Sequence, residues 1–83
     1  MKKPYIVIPA LDPDHHLLTL VDEVTAKDPD WSHFLGIIIV DDGSQSKSVF
    51  QELANRHRIH ILEHEENQGK GAALRTAFRW ILS

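Results

Sequence analysis

With 83 residues, 42% of them hydrophobic and 25% charged, the chain has the composition of a globular protein and the length of one domain at most. A net charge of −3, from 9 Lys and Arg against 12 Asp and Glu, provides no basic footprint and argues against a nucleic-acid partner. With no cysteine there is neither a disulfide framework nor thiolate chemistry, which fits a reducing compartment.

The amino terminus carries Lys2, Lys3 and a short apolar run, but Pro9, Asp12 and Asp14 interrupt it too early for a signal peptide. No stretch approaches the ~20 apolar residues that cross a bilayer, so a soluble, cytoplasmic chain is expected. Tyr5 to Ile8 is a β-branched and aromatic run that predicts a first strand, ended by Pro9, which cannot donate to a ladder. Asp12, Pro13 and Asp14 predict a helix start, with Asp12 as the N-cap and Pro13 at the first helical position. Leu17, Leu20, Val21 and Val24 recur at helical spacing and mark its apolar face as far as about Ala26. Asp28-Pro29-Asp30 stops the helix, and Trp31 and Phe34 follow in the connecting loop.

Ile37 to Val40 are four consecutive β-branched aliphatic residues, a pattern expected of a strand covered on both faces. Asp41 and Asp42 stand at its carboxyl end, and Gly43 allows the chain to turn away. Ser44 or Ser46 could cap a second helix that buries Val49, Phe50, Leu53 and Ala54 and ends near Arg56 and His57. Ile59 to Leu62 predicts a third strand, with Ile59 and Ile61 on one face and His60 on the other. A polar loop, EHEENQ, leads into a third helix on which Leu74, Ala77, Phe78 and Ile81 show helical spacing. The order βαβαβα with right-handed crossovers predicts an α/β fold, a three-layer Rossmann-like half with a parallel sheet ordered 3-2-1.

In such sheets ligands bind outside the carboxyl ends of the strands, which places Asp41 and Asp42 at a binding edge. A carboxylate only accepts hydrogen bonds, so Asp42 suits the ring N–H of uracil or guanine or the hydroxyls of a ribose, although Asp-Asp-Gly-Ser is also a good turn sequence. In Asn67-Gln68-Gly69-Lys70-Gly71, glycines opening a helix expose backbone N–H groups and Lys70 adds charge, a combination suited to a diphosphate. Alternatively Gly69, Ala73 and Ala77 form a narrow ridge for close packing on the sheet. The segment is neither a Walker A loop nor a dinucleotide fingerprint. The histidines form no metal site: His15 and His16 are adjacent and point apart, and His60 and His64 fall on a strand and its following loop. Arg75 and Arg79 form a solvated stripe on the third helix.

VIPALDPD after the first strand, IIIVDDGS at the end of the second and NQGKGAALRTAF after the third together resemble the family 2 glycosyltransferases of the GT-A fold. The resemblance covers nearly the whole chain and implies that residues 1–83 are an amino-terminal nucleotide-sugar-binding part, incomplete as a domain. It implies a UDP- or GDP-sugar as ligand, with Pro9 and Ala10 lining the cleft, Asp42 reading the base, and Asp12, Asp41, Gly69 and Lys70 nearby. Leu11 and Asp12 depart from the Tyr-Asn most often found after Ile-Pro-Ala, which weakens stacking at position 11. Family members place an Asp-x-Asp metal site, for Mg or Mn, and a general base beyond the position where this chain stops, so no catalytic or metal-binding residue is assigned here. Many relatives with this opening act on lipid-linked acceptors at the cytoplasmic membrane face, so the resemblance implies a role of that kind, in cell-envelope synthesis.

Two other functions compete with this one. A stand-alone nucleotide-binding or oligomerising module would use the same cleft without catalysis. A receiver-like phosphoacceptor domain would place its acid pair after the first strand, whereas here it follows the second. A domain this small buries only roughly 60–65% of its unfolded surface, and its first strand is left as an edge, so a homo-oligomer is expected.

Overall fold

The apolar run at 37–40 forms the middle of a parallel sheet in the computed structural model, which describes residues 3–83. Met1 and Lys2, where the comparison with signal peptides began, lie outside the described residues. The elements are β1 (Tyr5–Ala10), α1 (His15–Lys27), β2 (Gly36–Asp42), α2 (Ser48–Leu53), β3 (Ile59–His64) and α3 (Lys70–Leu82). The sheet order is β1-β2-β3, which is the expected 3-2-1 read from the other edge, and both pairings are parallel.

Every residue of β2 is buried, because helices cover both of its faces. Ile37 and Ile39 join Leu17, Val21, Phe50, Leu53 and Ile59 in a core beneath α1 and α2. Ile38 and Val40 meet Ala73 and Ala77 of α3 in a second, smaller core. The strand period of two thus sorts one apolar run between two layers, and the same alternation sends Asp41 toward the first layer and Asp42 toward the second.

Several local expectations are corrected. Pro9 does not end the first strand: it pairs with Val40, and Ala10 with Asp41. β1 is an edge, and an edge strand has one side on which no donor is required. Asp14, not Asp12, caps α1 by accepting from the His16 N–H at 2.9 Å, so Pro13 stands before the cap. Asp12 instead has φ 46° and is tied to the loop after β2. Leu20 is exposed, and Leu18 packs toward the core in its place. α2 has Lys47 at its N-cap position with no side-chain cap, it ends at Leu53, and Ala54 is exposed. β3 runs two residues past Leu62, to His64.

The largest correction concerns α3. Its small residues Ala72, Ala73 and Ala77 are buried, whereas Leu74, Phe78 and Ile81 lie exposed on a neighbouring stripe. The narrow-ridge alternative therefore holds for Ala73 and Ala77 but not for Gly69, where an added Cβ would meet nothing within 4 Å: a helix that presents alanines approaches the sheet closely, and larger residues there would hold it away. Arg75 and Arg79 are exposed, as expected.

The turn after α1 is organised by Asp28, a buried carboxylate that accepts from the backbone N–H groups of Ser32, His33 and Phe34 and from the Ser32 hydroxyl. Burial pushes its carboxyl up, but hydrogen bonds from the His33 ring and from the His33 and Phe34 backbones outweigh this and hold it at about 2, against an ordinary 3.8. Because the folded value is depressed, the stabilisation is full above 3.8 and is lost as pH falls through about 2. Urea unfolding of the parent and of Asp28→Asn should therefore differ most near neutral pH and converge toward about pH 2. A difference that stays constant over that range would show that the Asp28 charge plays no part.

Candidate functional site

Two adjacent carboxylates leave β2 in opposite directions and do different work. Asp41 is fully buried, accepts from the Ser44 N–H at 2.9 Å and pairs with the Lys47 ammonium at 2.6 Å. Burial pushes its carboxyl up, but the hydrogen bonds from Lys47 and Ser44 prevail and keep it below the usual range. Asp41 thus fastens the loop between β2 and α2 and lines no cleft. Asp12 acts on the same loop from the other side: its N–H donates to the Ser44 hydroxyl at 2.8 Å, and its carboxylate accepts from the Gln45 N–H at 2.9 Å. These contacts lock the segment after β1 to the segment after β2.

Asp42 faces α3. Its Oδ1 accepts from His64 Nδ1 and from the Gln68 N–H, both at 2.8 Å, and its Oδ2 accepts from the Gly69 N–H at 2.9 Å. The His64 hydrogen bond is the main cause that holds the carboxyl below its ordinary value, followed by the Gln68 N–H. An ionised carboxylate offers about four acceptor positions, so one position on Oδ2 remains open.

Asp42 also lines a cleft of about 250 Å³, together with Pro9, Ala10, Leu11, Asn67, Gly69 and Lys70. The cleft lies where the carboxyl ends of β1 and β2 meet the start of α3, the position at which open α/β sheets bind ligands. Gly43 allows the close approach of the two loops: it has φ 83°, and a Cβ there would stand 2.6 Å from Asn67 N and from Glu66 C. Gly69, at the N-cap of α3 with φ 91°, turns its N–H onto Asp42.

Five of the seven residues singled out in the sequence, Pro9, Ala10, Asp42, Gly69 and Lys70, line this one cleft, while Asp12 and Asp41 do not and instead hold the loop after β2. Two participants were missed, His64 and Lys47. His64, expected in the loop after the third strand, is the last residue of β3 and is buried between Asp42 and the Thr76 hydroxyl. Extending the β3 alternation by one more pair would have found it, since His64 stands opposite Asp42 in the ladder. His15 and His16 do not point apart: their rings lie 4.3 Å from centroid to centroid beside Asp14. That exposed group uses its carboxylate to cap α1. The cleft does not fit a divalent cation: its one carboxylate already accepts three hydrogen bonds, and no second acid lines it.

Residues 5–83 match the family model described as Glycosyl transferase family 2. No curated protein and no solved structure gives a match. Among the described residues no helix is long and apolar enough to cross a membrane.

Proposed function

The chain belongs to glycosyl transferase family 2, and from that premise we propose that its cleft holds the nucleotide of a UDP- or GDP-sugar, the donor of a glycosyl transfer. The observation that carries this is Asp42, a cleft-lining carboxylate kept ionised by three N–H donors and left with one acceptor position unfilled. Uracil and guanine present a ring N–H that such a group accepts, whereas cytosine and adenine present a ring nitrogen lone pair that it repels. Pro9 and Ala10 supply apolar walls, and Leu11 gives an aliphatic rather than an aromatic surface at the rim. Lys70, with the unpaired N–H groups of the first turn of α3, suits the diphosphate.

Transfer itself requires a base to deprotonate the acceptor, and Asp42 is unsuited to that role because its depressed carboxyl makes it a weak base. We propose accordingly that these residues bind donor without transferring sugar by themselves. The Mg or Mn that the family resemblance implies would have to be held by ligands other than those of this cleft. The resemblance further supports a lipid-linked acceptor at the cytoplasmic membrane face, in cell-envelope synthesis, and the free edge of β1 supports pairing with a second copy of the chain.

Titration calorimetry with UDP, GDP and CDP tests the donor site. UDP or GDP should bind the parent, CDP should bind at least roughly tenfold more weakly, and Asp42→Ala should lose a similar factor for the preferred nucleotide. Undiminished binding by Asp42→Ala would remove Asp42 from the site.

A further inference from the structure

Behind Asp42 lies a relay of two side chains, His64 and Thr76, that are not themselves part of the cleft lining. His64, at the end of β3, has Nδ1 2.8 Å from Asp42 Oδ1 and Nε2 2.7 Å from Thr76 Oγ1 on α3. A carboxylate can only accept, so Nδ1 must carry the proton. In the neutral ring Nε2 is then the acceptor, and the Thr76 hydroxyl donates to it. Free imidazole gives no such assignment; the two flanking groups impose it.

We propose that His64 is a positioning residue for the donor site, locked by Thr76 in the Nδ1–H tautomer so that it fixes the plane of the Asp42 carboxylate and leaves the open position of Oδ2 facing the cleft. This rests on the proposal that Asp42 reads the base. Gln68 and Gly69 also hold the carboxylate, but both belong to the loop that opens α3, so they can shift together with any ligand that presses on it. His64 belongs to the sheet: its backbone pairs with that of Asp42, and its side chain is buried. It is the contact that ties the carboxylate to the sheet, and Thr76 connects that layer to the middle of α3 rather than to its first turn.

Two near-isosteric substitutions separate the ring nitrogens. Asparagine places an amide N–H close to the Nδ1 position, and glutamine places one close to Nε2. In His64→Asn the donor to Asp42 is kept, and binding of UDP or GDP should stay within roughly threefold of the parent. In His64→Gln it is lost, and binding should fall roughly tenfold or more. Urea unfolding of both variants is measured alongside, since a purely structural role would affect the two alike and leave nucleotide affinity unchanged once corrected for the folded fraction. The second readout needs no ligand: nitrogen-15 spectra of the parent's His64 ring should show the Nδ1–H tautomer, and Thr76→Val should allow the Nε2–H form to appear. An Nε2–H ring in the parent, or equal nucleotide affinity in the two His64 variants, overturns the proposal. If the parent binds no nucleotide, the donor-site proposal fails and so does the role assigned to His64 within it, while the tautomer spectra still report whether the relay exists.

Discussion

Replacing Gly43 with alanine is expected to cost about 2–5 kcal/mol and to dismantle the cleft at the same time. Left-handed backbone accounts for about 1–2 kcal/mol of this, because Gly43 has φ 83°. Overpacking adds about 1–3 kcal/mol, because the new Cβ would stand 2.6 Å from Asn67 N and Glu66 C, backbone atoms that cannot swing aside as a side chain could. For a chain of 83 residues the whole stability is only about 4–12 kcal/mol, so the variant should be close to its limit at room temperature. The displaced segment is also the one that delivers the N–H groups of Gln68 and Gly69 to Asp42, so the surviving folded molecules should bind nucleotide poorly. Gly69→Ala is the internal comparison: its φ is 91° but a Cβ there meets nothing within 4 Å, so it should lose only the backbone share of about 1–2 kcal/mol. Denaturant unfolding of both variants gives the answer, and equal losses would show that the contact with Glu66 and Asn67 is not what makes Gly43 necessary.

How far the chain could be read in advance depended on whether a residue's role was decided locally. β2 was legible because four β-branched residues in a row admit few alternatives, and the acids after it were legible as a strand end. Pro9 and Asp12 were misjudged because the local rule for each was correct but outbid. An edge position lets Pro9 remain in the strand, and Ser44 and Gln45, more than thirty residues away, draw Asp12 from the helix cap that Asp14 then fills. On α3 two stripes had helical spacing, and hydrophobicity favoured the one with Leu74 and Phe78. Close packing against the sheet selected Ala73 and Ala77. His64 and Lys47 were hidden for a different reason: each matters only through its partner, and the partner is set by strand register or by the path of a loop. The site was thus visible wherever a motif presents its own backbone or carboxylate, and invisible wherever it depends on support from another element.

The chain is expected to form a two-fold dimer at concentrations of order 100 μM, where a contact of about −5.5 kcal/mol already pairs the molecules. β1 has β2 on one side and no described strand on the other, and all six of its residues are only partly buried, although a parallel strand is ordinarily covered on both faces. Against β1 runs a mainly apolar groove lined by Pro4, Tyr5, Val7, Leu35, Phe78 and Ile81 together with Lys3, and in it Phe78 is 61% exposed. A second copy fits these features better than an unrelated strand. Antiparallel pairing of one β1 with another, about a two-fold axis perpendicular to the sheet, would continue the sheet and place both α3 helices on the same side. Their Phe78 and Ile81 stripes would then face each other across the axis and cover the two grooves together. Pro9 removes one donor near the end of the edge, which weakens the pairing there without blocking the segment from Tyr5 to Ile8. Sedimentation equilibrium should show the dimer. Phe78→Asp should return it to monomer with the unfolding free energy of the monomer itself changed by no more than ~0.5 kcal/mol, since the side chain contributes little to the fold where it is exposed. A parent that sediments as a monomer at that concentration, or a Phe78→Asp variant that dimerises as tightly as the parent, excludes this interface.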